Sequence, residues 1–136
     1  MLTYEKMTKL VSDNNKSSVF SNEFILCLIW KETNFNPDAK NSGSSATGLM
    51  QMTKGAVEMV NRLHPKGTNY SHSDMLDPAL NIQCGSMYLD IAKNKLAGVD
   101  KSYGTGPGYS KKIMLCEVDL KKDSKHPQAA LNLIHK

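Results

Sequence analysis

At 136 residues the chain is sized for one hydrophobic core, and 40% apolar residues are too many for a disordered polypeptide. Seventeen Lys and Arg against thirteen Asp and Glu leave a formal charge of +4, spread along the chain rather than gathered in one block. That mild excess suits an anionic polymer, cell-wall glycan or nucleic acid, without choosing between them.

The N-terminus, Met1-Leu2-Thr3-Tyr4-Glu5-Lys6, lacks the apolar core of a secretory leader, and no stretch approaches the roughly 20 apolar residues that span a bilayer. Membrane insertion is not expected. Residues 18–33 read as a helix, with Phe20, Phe24, Ile25, Leu28 and Ile29 at helical spacing, Ser18 or Ser21 as cap and Asn36-Pro37 as stop. Residues 34–52 are rich in Asn, Ser and Gly and should form an irregular loop. A second helix should run from the cap Thr53 to about Leu63, with Ala56, Val57, Val60 and Leu63 inward and Pro65 beyond it.

Asp77-Pro78, a cap with proline in the first turn, opens the best-marked helix. Its expected inward face is Leu80, Cys84, Met87, Tyr88 and Ile91, and Gly98 follows its end. Residues 102–108, Ser-Tyr-Gly-Thr-Gly-Pro-Gly, cannot be regular, and shorter helices should fill about 109–119 and 125–135. Alternating strand patterns are absent, so the expected class is all-α in a single domain over 1–136. Cys27, Cys84 and Cys116 are far apart and odd in number; they form no metal-like pair and cannot all be bridged within one chain. Cys27 and Cys84 lie on apolar helical faces and read as buried thiols.

Glu32 is the most informative residue. Leu28 and Ile29 lead to it by steps of i+4 and i+3, so a carboxylate ends the apolar stripe of its helix. Partial burial and the helix C-terminus both disfavour its charge and push its pKa upward, as a general acid near neutral pH requires. The bland alternative is a surface glutamate at a fraying helix end.

The surroundings decide between them. Glu32-Thr33-Asn34-Phe35-Asn36-Pro37-Asp38-Ala39, followed by Gly48-Leu49-Met50-Gln51, resembles the soluble lytic transglycosylase family and its relative, goose-type lysozyme. Asp77-Pro78-x-x-Asn81-Ile82-x-x-Gly85-x-x-Tyr88-Leu89 is similar to that family's second motif, and Tyr103-Gly104-Thr105-Gly106-Pro107-Gly108 to its third. The ordered set covers roughly residues 24–110.

The resemblance implies a lysozyme-like helical fold with a groove for β-1,4-linked GlcNAc–MurNAc strands, and no metal or organic cofactor. It places Glu32 as catalytic acid and Tyr103 with its hydroxyl beside it. Thr33 stands for a serine that hydrogen-bonds the carboxyl. Gly48 would admit the glycan closely, while Leu49, Met50 and Gln51 would line the groove, Gln51 offering both donors and acceptors. Leu49, Met50 and Tyr103 have a packing role as their alternative. Gly85 should mark close helix packing, and Asn81 and Tyr88 should be structural.

Two departures bear on the reaction. Gly104 replaces a usual asparagine, and Thr53 stands where the goose-type branch carries a water-positioning aspartate. Asp38, Asp74 and Asp77 are no obvious substitutes. The expected reaction is therefore cleavage of the MurNAc-β-1,4-GlcNAc bond as a lytic transglycosylase, the alternative being a hydrolytic muramidase. A non-catalytic glycan-binding module would have no need of Glu32, and nucleic acid is disfavoured because Lys and Arg do not cluster on one helix. A domain with no visible leader resembles phage lytic enzymes, wall-piercing enzymes of secretion systems, and antibacterial effectors. It would act in the periplasm or cell wall by such a route, or through a leader outside this sequence. An effector would imply a cognate immunity protein plugging the groove.

Overall fold

The computed structural model describes residues 1–64, 67–95 and 109–135, with residues 94 and 95 described by their backbone alone. The motif at 102–108, including Tyr103 and Gly104, lies outside the described residues, as do Pro65 and Gly98. The elements are α1 (Tyr4–Asn14), α2 (Asn22–Thr33), α3 (Lys54–Leu63), a 3-10 turn (His72–Leu76), α4 (Pro78–Lys95), α5 (Tyr109–Lys122), α6 (Gln128–Asn132) and a closing 3-10 turn (Leu133–His135). Two isolated bridges, Lys40 with Thr47 and Thr47 with Met52, are the extended pairings among the described residues, so the class is all-α.

Helix α1, to which the sequence analysis assigns no element, carries Tyr4, Met7, Leu10 and Val11 at helical spacing. Thr3 caps it by accepting from the Lys6 amide at 3.2 Å, and Met7 and Val11 bury one stripe. In α2 the cap is Ser21, which accepts from the Phe24 amide at 3.0 Å. Phe20 precedes this cap and packs on Phe24, with ring centroids 4.6 Å apart.

Six consecutive residues, Phe24 to Ile29, are buried, so α2 has no solvent face over that stretch. It is enclosed by α1, α5 and the closing turn. Each of Ile25, Leu28 and Ile29, fully enclosed, contributes about 1.5–3 kcal/mol through removal from water.

Helix α4 is likewise buried on more than the expected stripe, because α1 and α3 pack on it from different sides. Ile82 and Leu89 are in the core, whereas Leu80 and Tyr88, expected inward, are half-buried. In α3, Ala56, Val57 and Val60 point inward as expected; Leu63, the last helical residue, overhangs the core and is 40% exposed.

The cysteines correct the sequence reading. Cys27 is not a free thiol: it is bonded to Cys116, tying α2 to α5, while Cys84 is free and buried. Burial pushes the Cys84 thiol up to about 12, so it stays protonated and inert.

Candidate active site

Helix α2 ends at Thr33 because Asn34 and Phe35 both take left-handed backbone, with φ of 51° and 67°. Non-glycine residues pay strain there, and packing holds them in place. Phe35 is buried and meets Trp30 edge-on at 4.9 Å, and its carbonyl accepts from the Leu2 amide at 2.9 Å. Glu32 is thereby fixed in the last helical turn, at the edge of a cleft of about 200 Å³. Asn41, Ala46, Gln51, Met52, Thr53 and Tyr88 form most of the remaining wall.

Burial raises the Glu32 pKa above the ordinary carboxylate range; a hydrogen bond from Tyr109 and the charge of Lys31 pull the other way. The Tyr109 hydroxyl donates to Glu32 Oε2 at 3.0 Å. Tyr109 is itself buried at the start of α5 and was not among the residues singled out from sequence. A signal for it existed. Tyr109, Ile113, Cys116 and Leu120 recur at i, i+4, i+7 and i+11, so the tyrosine heads the buried stripe of α5 just as Glu32 ends that of α2.

The loop from Lys40 to Met52 supplies the opposite wall. Leu49 and Met50 do not line the cleft: both are fully buried and point into the core beneath it. In an irregular loop no periodicity tells which side faces solvent. Gly48 has a packing requirement of its own. Its φ is 77°, and a side chain there would run into the Met75 carbonyl and the Asn81 carboxamide.

Thr33 does not reach the Glu32 carboxyl. Its hydroxyl is 3.0 Å from the Leu49 carbonyl and 3.2 Å from that of Ile29, tying the loop to α2. Gln51, with φ of 52°, lines the cleft, but its Nε2 donates to the carbonyls of Ala39 and Gly48 at 3.2 and 3.0 Å. Its donors are committed, which leaves Oε1 as an acceptor for a bound molecule.

Asn81 organises this loop from behind. Fully buried on α4, it accepts from the Met50 amide at 2.9 Å and donates to the carbonyls of Thr47 and Met75 at 3.0 and 2.9 Å. Asn81→Leu keeps the branched shape but strands the Met50 amide and the Met75 carbonyl, the Thr47 carbonyl keeping the Met52 amide, so it should lower unfolding stability by about 2–4 kcal/mol. Chemical denaturation measures this, and unchanged stability would mean that the loop does not depend on the carboxamide. Gly85, one turn further, packs against the Met50 side chain so closely that a Cβ would run into its sulfur, so the close packing expected at Gly85 is with the loop and not with another helix.

None of the other carboxylates considered from sequence lines the cleft. Asp38 is exposed, Asp74 accepts from the Ser71 amide in a capping box, and Asp77 caps α4 by accepting from the Leu80 amide. Thr53 caps α3 by accepting from the Ala56 amide at 3.1 Å. Among the described residues, no cluster of His, Cys, Asp and Glu has the make-up of a metal site.

A helical, lysozyme-like fold with one half-buried glutamate at the mouth of a narrow cleft defines the structural class. The chain belongs to the Transglycosylase SLT domain family, whose profile matches residues 9–125. It is 36% identical over 94 residues to membrane-bound lytic murein transglycosylase C of Yersinia enterocolitica, covering 68% of this chain and 26% of that protein. The Pectobacterium atrosepticum protein of the same name is 36% identical over 97 residues, covering 70% and 27%. The chain thus spans about a quarter of the length of the curated relatives it matches.

Among solved structures, the 70 kDa soluble lytic transglycosylase of Escherichia coli superposes with a TM-score of 0.58 at 20% identity, covering 98% of this chain and 23% of the other. A complex of the 70 kDa soluble lytic transglycosylase with bulgecin A gives 0.58 at 19%, covering 97% and 23%. At these identities the likeness shows the fold.

Proposed function

We propose that this chain cleaves the MurNAc-β-1,4-GlcNAc bond of peptidoglycan non-hydrolytically, with Glu32 as acid and then base. The observation that carries the reading is the lone carboxylate: Glu32 is the one acidic residue of the cleft wall among the described residues, and burial favours its protonated form. The names of the curated relatives, murein transglycosylases, support the same substrate.

Protonated Glu32 gives its proton to the leaving glycosidic oxygen. The substrate's N-acetyl group stabilises the oxocarbenium-like centre. The resulting carboxylate takes the proton of the MurNAc 6-hydroxyl, which closes on the anomeric carbon as a 1,6-anhydro ring. Tyr109 is placed to orient the carboxyl and to stabilise its charged form between the two steps. Gln51 offers its carbonyl oxygen to an N–H or O–H of the glycan, and Tyr103 keeps the role beside Glu32 that the motif implies.

Two-carboxylate glycosidases place their second group roughly 5–10 Å from the acid to hold water or attack the sugar. With Asp74 and Asp77 committed to caps and Thr53 in the aspartate's place, the sugar's own hydroxyl is the better-placed nucleophile. Mass spectrometry of digested peptidoglycan should show 1,6-anhydro ends. Products heavier by one water would move the enzyme to the hydrolytic muramidases while retaining Glu32.

The site of action we infer is the wall compartment. The Cys27–Cys116 disulfide supports an oxidising space outside the cytoplasm, and no described helix is long and apolar enough to cross a membrane. A groove-plugging immunity protein goes with the effector setting alone. Co-purification of the chain with the product of a neighbouring gene would identify one.

A further inference from the structure

Helices α2 and α5 are joined at three levels. The Ser21 hydroxyl donates to Glu117 Oε2 at 2.5 Å, Cys27 is bonded to Cys116, and the Tyr109 hydroxyl donates to Glu32. Cys27 lies five residues before Glu32, and Cys116 seven residues after Tyr109, on the same buried face of its helix as the tyrosine. The covalent link therefore sets how far α5 slides along and turns against α2, which decides whether the phenol meets the carboxyl. Hydroxyl and carboxylate contacts alone tolerate little sliding: a hydrogen bond is lost within about half an ångström beyond 3.2 Å.

We infer that the Cys27–Cys116 disulfide is a positioning element of the reaction, holding the Tyr109 hydroxyl on Glu32, so that reducing it disables the acid without unfolding the protein. The inference rests on the proposed role of Glu32. The groups that face this carboxyl among the described residues are few. Lys31 neighbours it on α2, Tyr109 meets it from α5, and Tyr88 of α4 shares its cleft; the loop contributes the uncharged Asn41, Gln51 and Thr53. Loss of the Tyr109 bond removes an interaction that favours the carboxylate, so the Glu32 pKa must move up, not down.

Reduction by a small dithiol is balanced: the protein disulfide gains two electrons and two protons to give two thiols, and the reagent closes to its cyclic disulfide. Alkylation in denaturant should then count three thiols per chain, against the one, Cys84, of the oxidised protein. The test compares muropeptide release against pH for oxidised protein, reduced protein and Cys27→Ala with Cys116→Ala, each checked as folded by circular dichroism.

The expected result is a rate at least about tenfold lower after reduction, as misplacement of a catalytic group by a fraction of an ångström to 1 Å produces. With it, the alkaline limb should move to higher pH. Partial unfolding would scale the whole profile without moving that limb. In Tyr109→Phe the limb should already be displaced, and reduction should move it no further. Where the double variant fails to fold, the reduced wild type carries the comparison. A reduced, folded enzyme with the rate and limb of the oxidised one would overturn the inference alone. Oxidised wild type that releases no muropeptide would overturn the proposed function as well.

Discussion

Glu32→Gln should abolish wall lysis, with a fall in rate of about 10²–10⁴-fold, the usual contribution of a positioned general acid and base. The amide has no acidic proton to give and cannot take one from the sugar, so both steps fail together. The fold should survive, because the amide oxygen still accepts from the Tyr109 hydroxyl and a neutral group suits the half-buried position. The wild-type pH profile should reflect the same burial. In the proposed mechanism Glu32 acts while protonated, and its pKa is raised, so activity should persist above the ordinary carboxylate range and fall as pH rises through the raised value. In Glu32→Gln that limb should vanish. A folded variant lysing peptidoglycan at the wild-type rate would remove Glu32 from the mechanism.

Breaking the Cys27–Cys116 bond should cost more stability than the Asn81→Leu change. The bond joins residues 89 apart. In the chain-entropy account, freeing a loop of that length in the unfolded state costs the native state about 4–5 kcal/mol. Against the roughly 5–15 kcal/mol that holds an ordinary domain together, this is a large share. Urea denaturation with and without a dithiol, at a pH where Glu32 is protonated in both, measures the difference. A loss under about 1 kcal/mol would mean that packing of α5 on α2 already fixes the two helices. The stability loss and the activity loss are separate quantities, since a protein with a few kcal/mol to spare remains folded after reduction.

Much of the fold was legible because capping and periodicity are local. Thr53, Ser21 and Asp77 start their helices as their side-chain chemistry requires, and Glu32 closes an apolar run that the spacing displays. Features that depend on distant partners were not legible. Cys27 and Cys116 meet through tertiary packing, and an apolar helical face looks the same around a free thiol as around a bridged one. Thr33 has a hydroxyl of the right type beside Glu32 in sequence, yet side chains adjacent on a helix diverge by about 100°, and its hydroxyl turns to Leu49 instead. Leu49 and Met50 sit in a loop whose inward side is chosen by Asn81, 31 residues away from Met50. Helix α1 was missed for another reason. Its stripe of Tyr4, Met7, Leu10 and Val11 is regular but set among charged and polar residues, and burial of Met7 and Val11 against the rest of the molecule stabilises it.

The left-handed corner at Asn34 and Phe35 has a consequence for how the length of this chain can vary. Phe35 is locked into the core, so α2 is anchored at its end as well as along its buried middle. One residue inserted between Ile29 and Glu32 would turn the glutamate by about 100° and carry it off the cleft, although no contact had been deleted. The same insertion between Asn41 and Ser44, where the chain is exposed, would be absorbed in water at little cost. Insertions and deletions tolerated by a library of variants should therefore map the mechanism. They should be excluded from the last two turns of α2 and admitted a dozen residues later, within the loop that forms the facing wall.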